Sequence, residues 1–445
     1  MEGGGALDRA GRERYIRYIK PFYKCDTKTR RTQAVPPFFT QKRQELRRQK
    51  REDTNLNELK PAVTQLRKAN RNRIFRFIYD APRPVSKQQI AQELGFSLPT
   101  IHKTIAELLE AELIRPGEIQ ASTGGRRAIG YIPDASARFS VGISLTNNHL
   151  RFLASDLCMG ELAYKELDIR EALDSVKIGE RIETELDRFL TENRLPKEKL
   201  LGAGITIPGV IDREEDMVVL SPTLKLKNIS LLDIRKRISI PVYFENDSTS
   251  SGFAEHRARQ QERMNGDFVY LSLENGVGGA IFLNGRQYDG VNGRSAEFGH
   301  ICVESGGLAC ACGRHGCLEA YCSMLRISEK LSVTAATFFQ VLREEPDGRD
   351  LPWERREEFR LLWEDYLHHL AIGVSNLRLT FDCDVVIGGT MLLYLQEDFG
   401  RLREMAAALD PFTNRADYLL PGHFPKQADM RGVAWYFTNR FVEEL

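Results

Sequence analysis

The stretch from Glu297 to Tyr321 gathers side chains whose chemistry the overall composition does not require. Three thiols, Cys310, Cys312 and Cys317, lie within eight residues, and His300 stands ten residues before the first of them. Gly313 and Gly316 punctuate the loop, and glycine tolerates the turns that bring three sulfurs to one point. One imidazole and three thiolates bind zinc tetrahedrally. Four protein ligands leave no position for water, so such a metal is structural and not a Lewis acid. Its expected service is to fix two flanking carboxylates beside a pocket: Glu297, one turn before His300, and Glu319, two residues after Cys317. His315, Cys302 and Cys322 are nearby alternatives as ligands, although His315 sits inside the loop to be closed and the other two lie outside it. The plainer explanation, a cluster of reduced buried thiols, is opposed by the tight glycine-punctuated spacing.

Positioning such a loop takes folded domains, and a chain of 445 residues is long enough for two or three. Hydrophobic residues make up 42% and charged residues 28%. No apolar run approaches the roughly 20 residues of a membrane span, and the first residues lack a signal-peptide segment. A cytoplasmic protein without membrane contact is therefore expected. The 8 cysteines suit a reducing compartment. The net charge of +1 conceals an asymmetry: residues 1–130 hold 27 Lys and Arg against 14 Asp and Glu, so a head of +13 precedes a body of −12. A basic head of this kind is built to meet a polyanion.

Residues 1–54, basic and without a sustained apolar period, are expected to form a largely disordered extension. Residues 55–133 read as the head proper. Leu66, Ile74, Phe77 and Ile78 mark one helix stripe. Ser86-Lys87-Gln88-Gln89 is a capping box opening a second helix with Ile90, Ala91 and Leu94 inward. Gly95 turns the chain, and Ser97 caps a third helix with Ile101, Ile105, Leu108 and Leu109 inward. Helix, short glycine turn, helix is a helix-turn-helix. The outward residues near the start of the third helix, Pro99, Thr100, His102 and Lys103, would face the major groove. Strands at 113–115 and 128–132 would flank a wing whose Arg126 and Arg127, beside Gly124 and Gly125, suit phosphate or minor-groove contact.

From Phe139 the pattern changes to alternating apolar strands. A hairpin at 139–145 and 150–155, a helix at 175–192 and a strand at 200–207 are expected first. A strand at 242–245 then leads through Asn246 and Asp247 into a helix to about residue 262. A second hairpin at 268–273 and 279–283 precedes a long helix at 354–380, with Leu361, Leu362, Tyr366, Leu370 and Leu377 inward.

The string Glu297-x-x-His300, nine further residues, then Cys310-x-Cys312-Gly313-x-x-Gly316-Cys317-Leu318-Glu319 resembles the zinc signature of the ROK family of repressors, open reading frames and sugar kinases. The resemblance runs from about residue 55 onward, the repressor branch supplying the winged head. It implies an α/β protein: a winged helix-turn-helix, then a two-lobed actin/hexokinase-like (ribonuclease H-like) domain over residues 136–445, with the zinc loop at 297–319. It implies zinc on His300, Cys310, Cys312 and Cys317, and sugar on Asn246, Asp247, Glu297, His300 and Glu319. Asp247 stands where the family's kinases carry the catalytic base.

The phosphate sites of those kinases do not carry over. Where they have Asp-x-Gly-Gly-Thr, this chain reads Ser144-Leu145-Thr146-Asn147-Asn148, without the acid or the glycines. Where they have Gly-Thr-Gly-x-Gly-Gly, it begins with Glu274, a negative charge placed toward a triphosphate. Only Gly388-Gly389-Thr390 keeps the expected glycines. The expectation is a sugar-responsive repressor: not an enzyme, structural zinc, no ATP, operator DNA and a small sugar as partners, and a homodimer because one recognition helix covers only a half-site. An ATP-dependent hexose kinase with a DNA-binding head is the competing reading, and a repressor answering to a protein partner is a third.

Overall fold

Among the described residues, the three largest apolar clusters form one core in the head and one in each lobe of the body. The computed structural model describes residues 61–117, 129–169, 174–221, 223–264, 266–291, 293–343 and 353–445. The extension expected at 1–54 and the wing tip with Arg126 and Arg127 lie outside the described residues.

The head begins with α1 (Pro61–Tyr79), whose buried stripe is Ile74, Phe75, Ile78 and Tyr79. Phe77, expected inward, is only half-buried, because a stripe through 74 and 78 turns it toward the helix flank. Strand β1 (Val85–Ser86), α2 (Lys87–Leu94) and α3 (Leu98–Glu110) follow. The Ser86 hydroxyl accepts the Gln89 N–H while the Gln89 side chain accepts the Ser86 N–H, which completes the capping box. Gly95 takes the left-handed φ of +69° that ends α2, and Ser97 caps α3. Ile101, Thr104, Ile105 and Leu108 are the buried face of α3. Strands β2 (Ile114–Pro116) and β3 (Gly130–Pro133) pair antiparallel, with β1 on the other side of β3. The result is a winged helix-turn-helix.

The first lobe holds β4 (Phe139–Leu145), β5 (His149–Asp156), β6 (Glu161–Asp168), α4 (Ser175–Glu192) and β7 (Leu200–Thr206). A meander of β8 (Val210–Asp212), β9 (Met217–Ser221) and β10 (Leu226–Ser230) follows, then α5 (Leu231–Arg235) and β11 (Val242–Glu245). Helix α6 (Asp247–Gln261) leads to the second lobe: β12 (Phe268–Leu273), β13 (Val277–Leu283), β14 (Arg286–Gln287), α7 (Leu318–Cys322), α8 (Met324–Leu331), α9 (Ala335–Arg343), α10 (Trp353–Phe381), β15 (Asp384–Gly388), α11 (Leu392–Leu395), α12 (Phe399–Ala408), β16 (Leu419–Pro421) and α13 (Ala428–Glu444). The sheet orders are β11-β7-β4-β5-β6 and β14-β13-β12-β15-β16. In each, three consecutive strands form an antiparallel meander, and two later strands extend its first member in parallel. The two lobes therefore repeat one actin/hexokinase-like topology.

Helix α10 forms the spine of the second core, with Phe359, Leu362, Trp363, Tyr366, Leu370, Val374 and Leu377 buried. Leu361, expected inward, is 55% exposed: residues spaced by three and four from Phe359 make the stripe, and position 361 falls outside it. Helix α13 returns to the first lobe and the head. Gly432 lies so close to α6 that an added Cβ would stand 1.7 Å from the Ser250 carbonyl oxygen. Near its end, Val442 enters the head's core beside Ile74 and Ile78, and the Asn72 side chain donates to the Val442 carbonyl at 2.5 Å. Head and lobes from Arg67 onward form one compact unit. No helix among the described residues is long and apolar enough to cross a membrane.

Candidate functional site

The loop between β14 and α7 folds back on itself through bridges Cys302 to Cys317 and Ala309 to His315, with Gly313 and Gly316 in left-handed turns. The ligand atoms of His300, Cys310, Cys312 and Cys317 all lie within 4.8 Å of one another. Cys312 Sγ is 3.7 Å from Cys317 Sγ, and Cys310 Sγ is 3.8 Å from His300 Nδ1. A tetrahedron with zinc–sulfur bonds near 2.3 Å has edges of about 3.8 Å, so the two short donor pairs match it and a contraction of about 1 Å at most would bring in the rest. The Arg314 backbone N–H draws the Cys312 thiol down toward its thiolate, while burial holds Cys310 up. Cys322 turns away and puts its thiol on the Tyr366 carbonyl at 3.6 Å. The loop has further anchors. Tyr321 Oη accepts the Leu308 N–H and donates to Glu304, both at 2.7 Å, and its ring stacks on His369 at 3.7 Å. Arg314 donates to the His300 carbonyl at 2.6 Å.

Beside this loop lies a cavity of about 660 Å³ with walls from both lobes. Of the five residues expected to meet a sugar, Asn246 and Glu297 are in the wall. Asn246 caps α6: its Oδ1 accepts the N–H groups of Ser248 and Thr249, and its Nδ2 donates to the Gly209 carbonyl at 3.0 Å. One amide hydrogen remains for a ligand. Asn246 supplies the cap, and Asp247 Oδ1 also accepts the Ser248 N–H at 2.9 Å. Burial first, then the charge of Asp429 and more weakly that of Glu297, raise the Asp247 carboxyl to about 6. Burial likewise raises the Glu297 carboxyl, helped by Glu319. Glu319 Oε2 accepts the Val277 N–H at 3.0 Å, so this carboxylate braces the β12–β13 turn. Asp247, His300 and Glu319 are not among the wall residues.

Sequence reasoning missed much of the wall: Arg213 from the short meander, and Tyr288, Asp289 and Arg294 after β14. Arg213 donates to Glu245 at 2.5 Å and to the Tyr243 hydroxyl at 2.9 Å, which orients it at the cavity edge. No periodic signal marks these residues, since two- and three-residue strands are too short to show one.

At the expected phosphate turns, Glu274 does not project as a free charge. It accepts both the N–H and the hydroxyl of Thr390, at 2.7 and 3.1 Å, and ties the β12–β13 turn to the turn after β15. The space beside Gly278 is taken by Ser248: an added Cβ would lie 2.1 Å from its Oγ. Asn147 and Asn148 are exposed at the β4–β5 tip.

On α3, Pro99, His102 and Lys103 are exposed. Thr100 is half-buried and its hydroxyl bonds that of Ser97 at 2.9 Å, so the cap engages a side chain expected to be free for bases. Lys87 Nζ lies 3.1 Å from His102 Nδ1; the lysine donates, which leaves the Nε2 edge open.

Residues 67–115 match the winged helix-turn-helix DNA-binding family. A xylose repressor of Bacillus spizizenii is 24% identical over 366 residues, 81% of this chain and 92% of that protein. An N-acetylglucosamine repressor of Escherichia coli is 26% identical over 270 residues, 60% of this chain and 66% of that protein. Among solved structures, a ROK family transcriptional regulator homologous to the Escherichia coli MLC protein superposes with a TM-score of 0.63 at 22% identity, covering 85% of this chain and 97% of that one. A ROK family glucokinase from Streptomyces griseus, in complex with glucose and AMPPNP, superposes with a TM-score of 0.53 at 19% identity over 67% of this chain and 98% of its own. At these identities the superpositions speak to fold alone. Residues 162–440, well over half of the chain, match the ROK family itself, and the protein belongs to it.

Proposed function

We propose that the protein is a sugar-responsive DNA-binding transcriptional repressor of carbohydrate-utilisation genes, working in the cytoplasm as a homodimer. The observation that carries the reading is the union in one chain of a winged helix-turn-helix with a cavity of about 660 Å³ whose wall includes Asn246 and Glu297. The repressor names of the xylose and N-acetylglucosamine relatives support a sugar effector. The functional units are residues 55–133 and 136–445. Sugar contact belongs to Asn246 and Glu297, which are in the cavity wall; for Asp247, His300 and Glu319 the family pattern is the support. DNA contact belongs to Pro99, Thr100, His102 and Lys103 on α3 and to Arg126 and Arg127 on the wing. The zinc on His300, Cys310, Cys312 and Cys317 is structural. The effector domain does not phosphorylate sugar, because Glu274 takes the donors of Thr390 and glycines are missing at Asn147 and Asn148.

The test is calorimetry of the full chain against xylose, glucose and N-acetylglucosamine, with DNA binding followed in parallel. Saturable sugar binding that changes DNA affinity is expected, and no binding by any of the three would count against the reading. One observation favours the hexose-kinase alternative: a carboxyl at about 6, as at Asp247, suits a general base. Sugar-dependent ADP release at an ordinary enzyme rate, on the order of 1 per second or more, would establish that alternative instead.

A further inference from the structure

Helix α6 reaches both the cavity and the head. Asn246, its cap, is in the cavity wall, and Asp247 is its first residue. Farther along the helix Arg257 is buried, its side chain 2% exposed, and it is directed at the end of α1. Its Nη1 donates to Asp80 at 2.6 Å and its Nη2 to the Tyr79 carbonyl at 3.4 Å. The guanidinium carbon stands 4.3 Å from the centre of the Tyr79 ring. Tyr79 donates its own hydroxyl to the Leu157 carbonyl at 2.9 Å. Tyr79 and Asp80 are the last residues before the chain turns into the helix-turn-helix.

At about 1.5 Å of rise per residue, the start of α6 and Arg257 are joined by roughly 15 Å of stiff rod. A shift at one end therefore arrives at the other. Arg257 Nε has no partner, so this buried cation leans on one carboxylate, that of Asp80, which also faces Arg76 at 3.6 Å. The Asp80 carboxylate is 42% exposed, so breaking the pair costs chiefly on the arginine side, where a cation is left in the interior without its counter-charge. Two residues on, Arg259 is equally buried but pairs with Asp384 of the second lobe at 2.6 Å, so one helix carries two arginines with different destinations.

We propose that Arg257 is the positioning residue through which the state of the sugar cavity reaches the DNA-binding head, by way of α6 and the Tyr79–Asp80 corner. This rests on the reading of the chain as a sugar-responsive repressor.

The test uses the full chain, a duplex selected from a random pool by the wild-type protein, and whichever of xylose, glucose and N-acetylglucosamine shifts wild-type DNA affinity. Arg257→Gln removes the cation. Asp80→Asn leaves the arginine in place and removes its partner, which keeps the test open if the first variant does not fold. Arg259→Gln is the control for losing a buried arginine on the same helix. In the first two variants, sugar binding without DNA is expected to stay within about threefold of wild type. The ratio of DNA affinities with and without sugar should fall at least about fivefold toward unity, and the ratio of sugar affinities with and without DNA should fall equally, because coupling is reciprocal. Arg259→Gln should keep the wild-type ratio. An unchanged ratio in folded Asp80→Asn, or an equal drop in Arg259→Gln, overturns the proposal. If none of the three sugars shifts wild-type DNA affinity, the repressor reading itself fails and takes this inference with it.

Discussion

Asp247 shows how one side chain's duty depends on its neighbour. Asn246 supplies the helix cap, while the aspartate carboxyl accepts the Ser248 N–H and is raised to about 6 by burial and by the charges of Asp429 and Glu297. A carboxyl whose folded value exceeds its unfolded one, about 3.9, binds its proton more tightly when folded. Its stabilising contribution is present below the unfolded value and lost as pH rises through about 6. The ionised form is the one that accepts hydrogen bonds from sugar hydroxyls, so sugar affinity is expected to rise between pH 5 and pH 7, on the order of tenfold or less, with the step absent in Asp247→Asn. Calorimetry at three pH values checks it, and a flat profile would remove Asp247 from the ligand set. For the metal, elemental analysis of protein prepared without chelator should find one zinc per chain, and Cys312→Ser should lose both zinc and sugar response. That His300, Cys310, Cys312 and Cys317 come together was legible in their spacing, because loop glycines let the thiols converge. The bracing of Val277 by Glu319 was not, since nothing near position 319 in the sequence reports a backbone N–H on a distant hairpin.

Among the elements, those with strong periodicity or caps were legible nearly to the residue. Helix α4 was expected at 175–192 and occupies Ser175–Glu192, and the capping box of α2 is present. The β8–β10 meander and α13 escaped, the first because its strands are short, the second because α13 is buried on several sides and has no single apolar stripe. That enclosure makes a stability prediction. Gly432→Ala should push α13 off Ser250 and destabilise the protein by roughly 1–3 kcal/mol, read as a lowered denaturant midpoint. On α3, Lys103→Ala should weaken binding to the selected duplex by about 1–3 kcal/mol with little effect on scrambled DNA if the lysine reads a base edge. Equal losses on both would make it a phosphate contact.

Across the whole molecule, charge asymmetry is the plainest message of the sequence, +13 over residues 1–130 against −12 over the rest. Replacing both Arg126 and Arg127 by alanine should weaken all DNA alike and lower the salt slope by about two units per head. An unchanged slope would take the wing out of the interface.

The path of α13 has one more consequence, in the order of synthesis. Val442 belongs to the same core as Ile74, Ile78, Ile101 and Ile105, yet it leaves the ribosome long after them. A head emerging first can form its helices, but it lacks a piece of its interior until both lobes have been translated and α13 has come back across them. On the repressor reading, a prematurely ended chain is therefore expected to bind DNA more weakly than the full one.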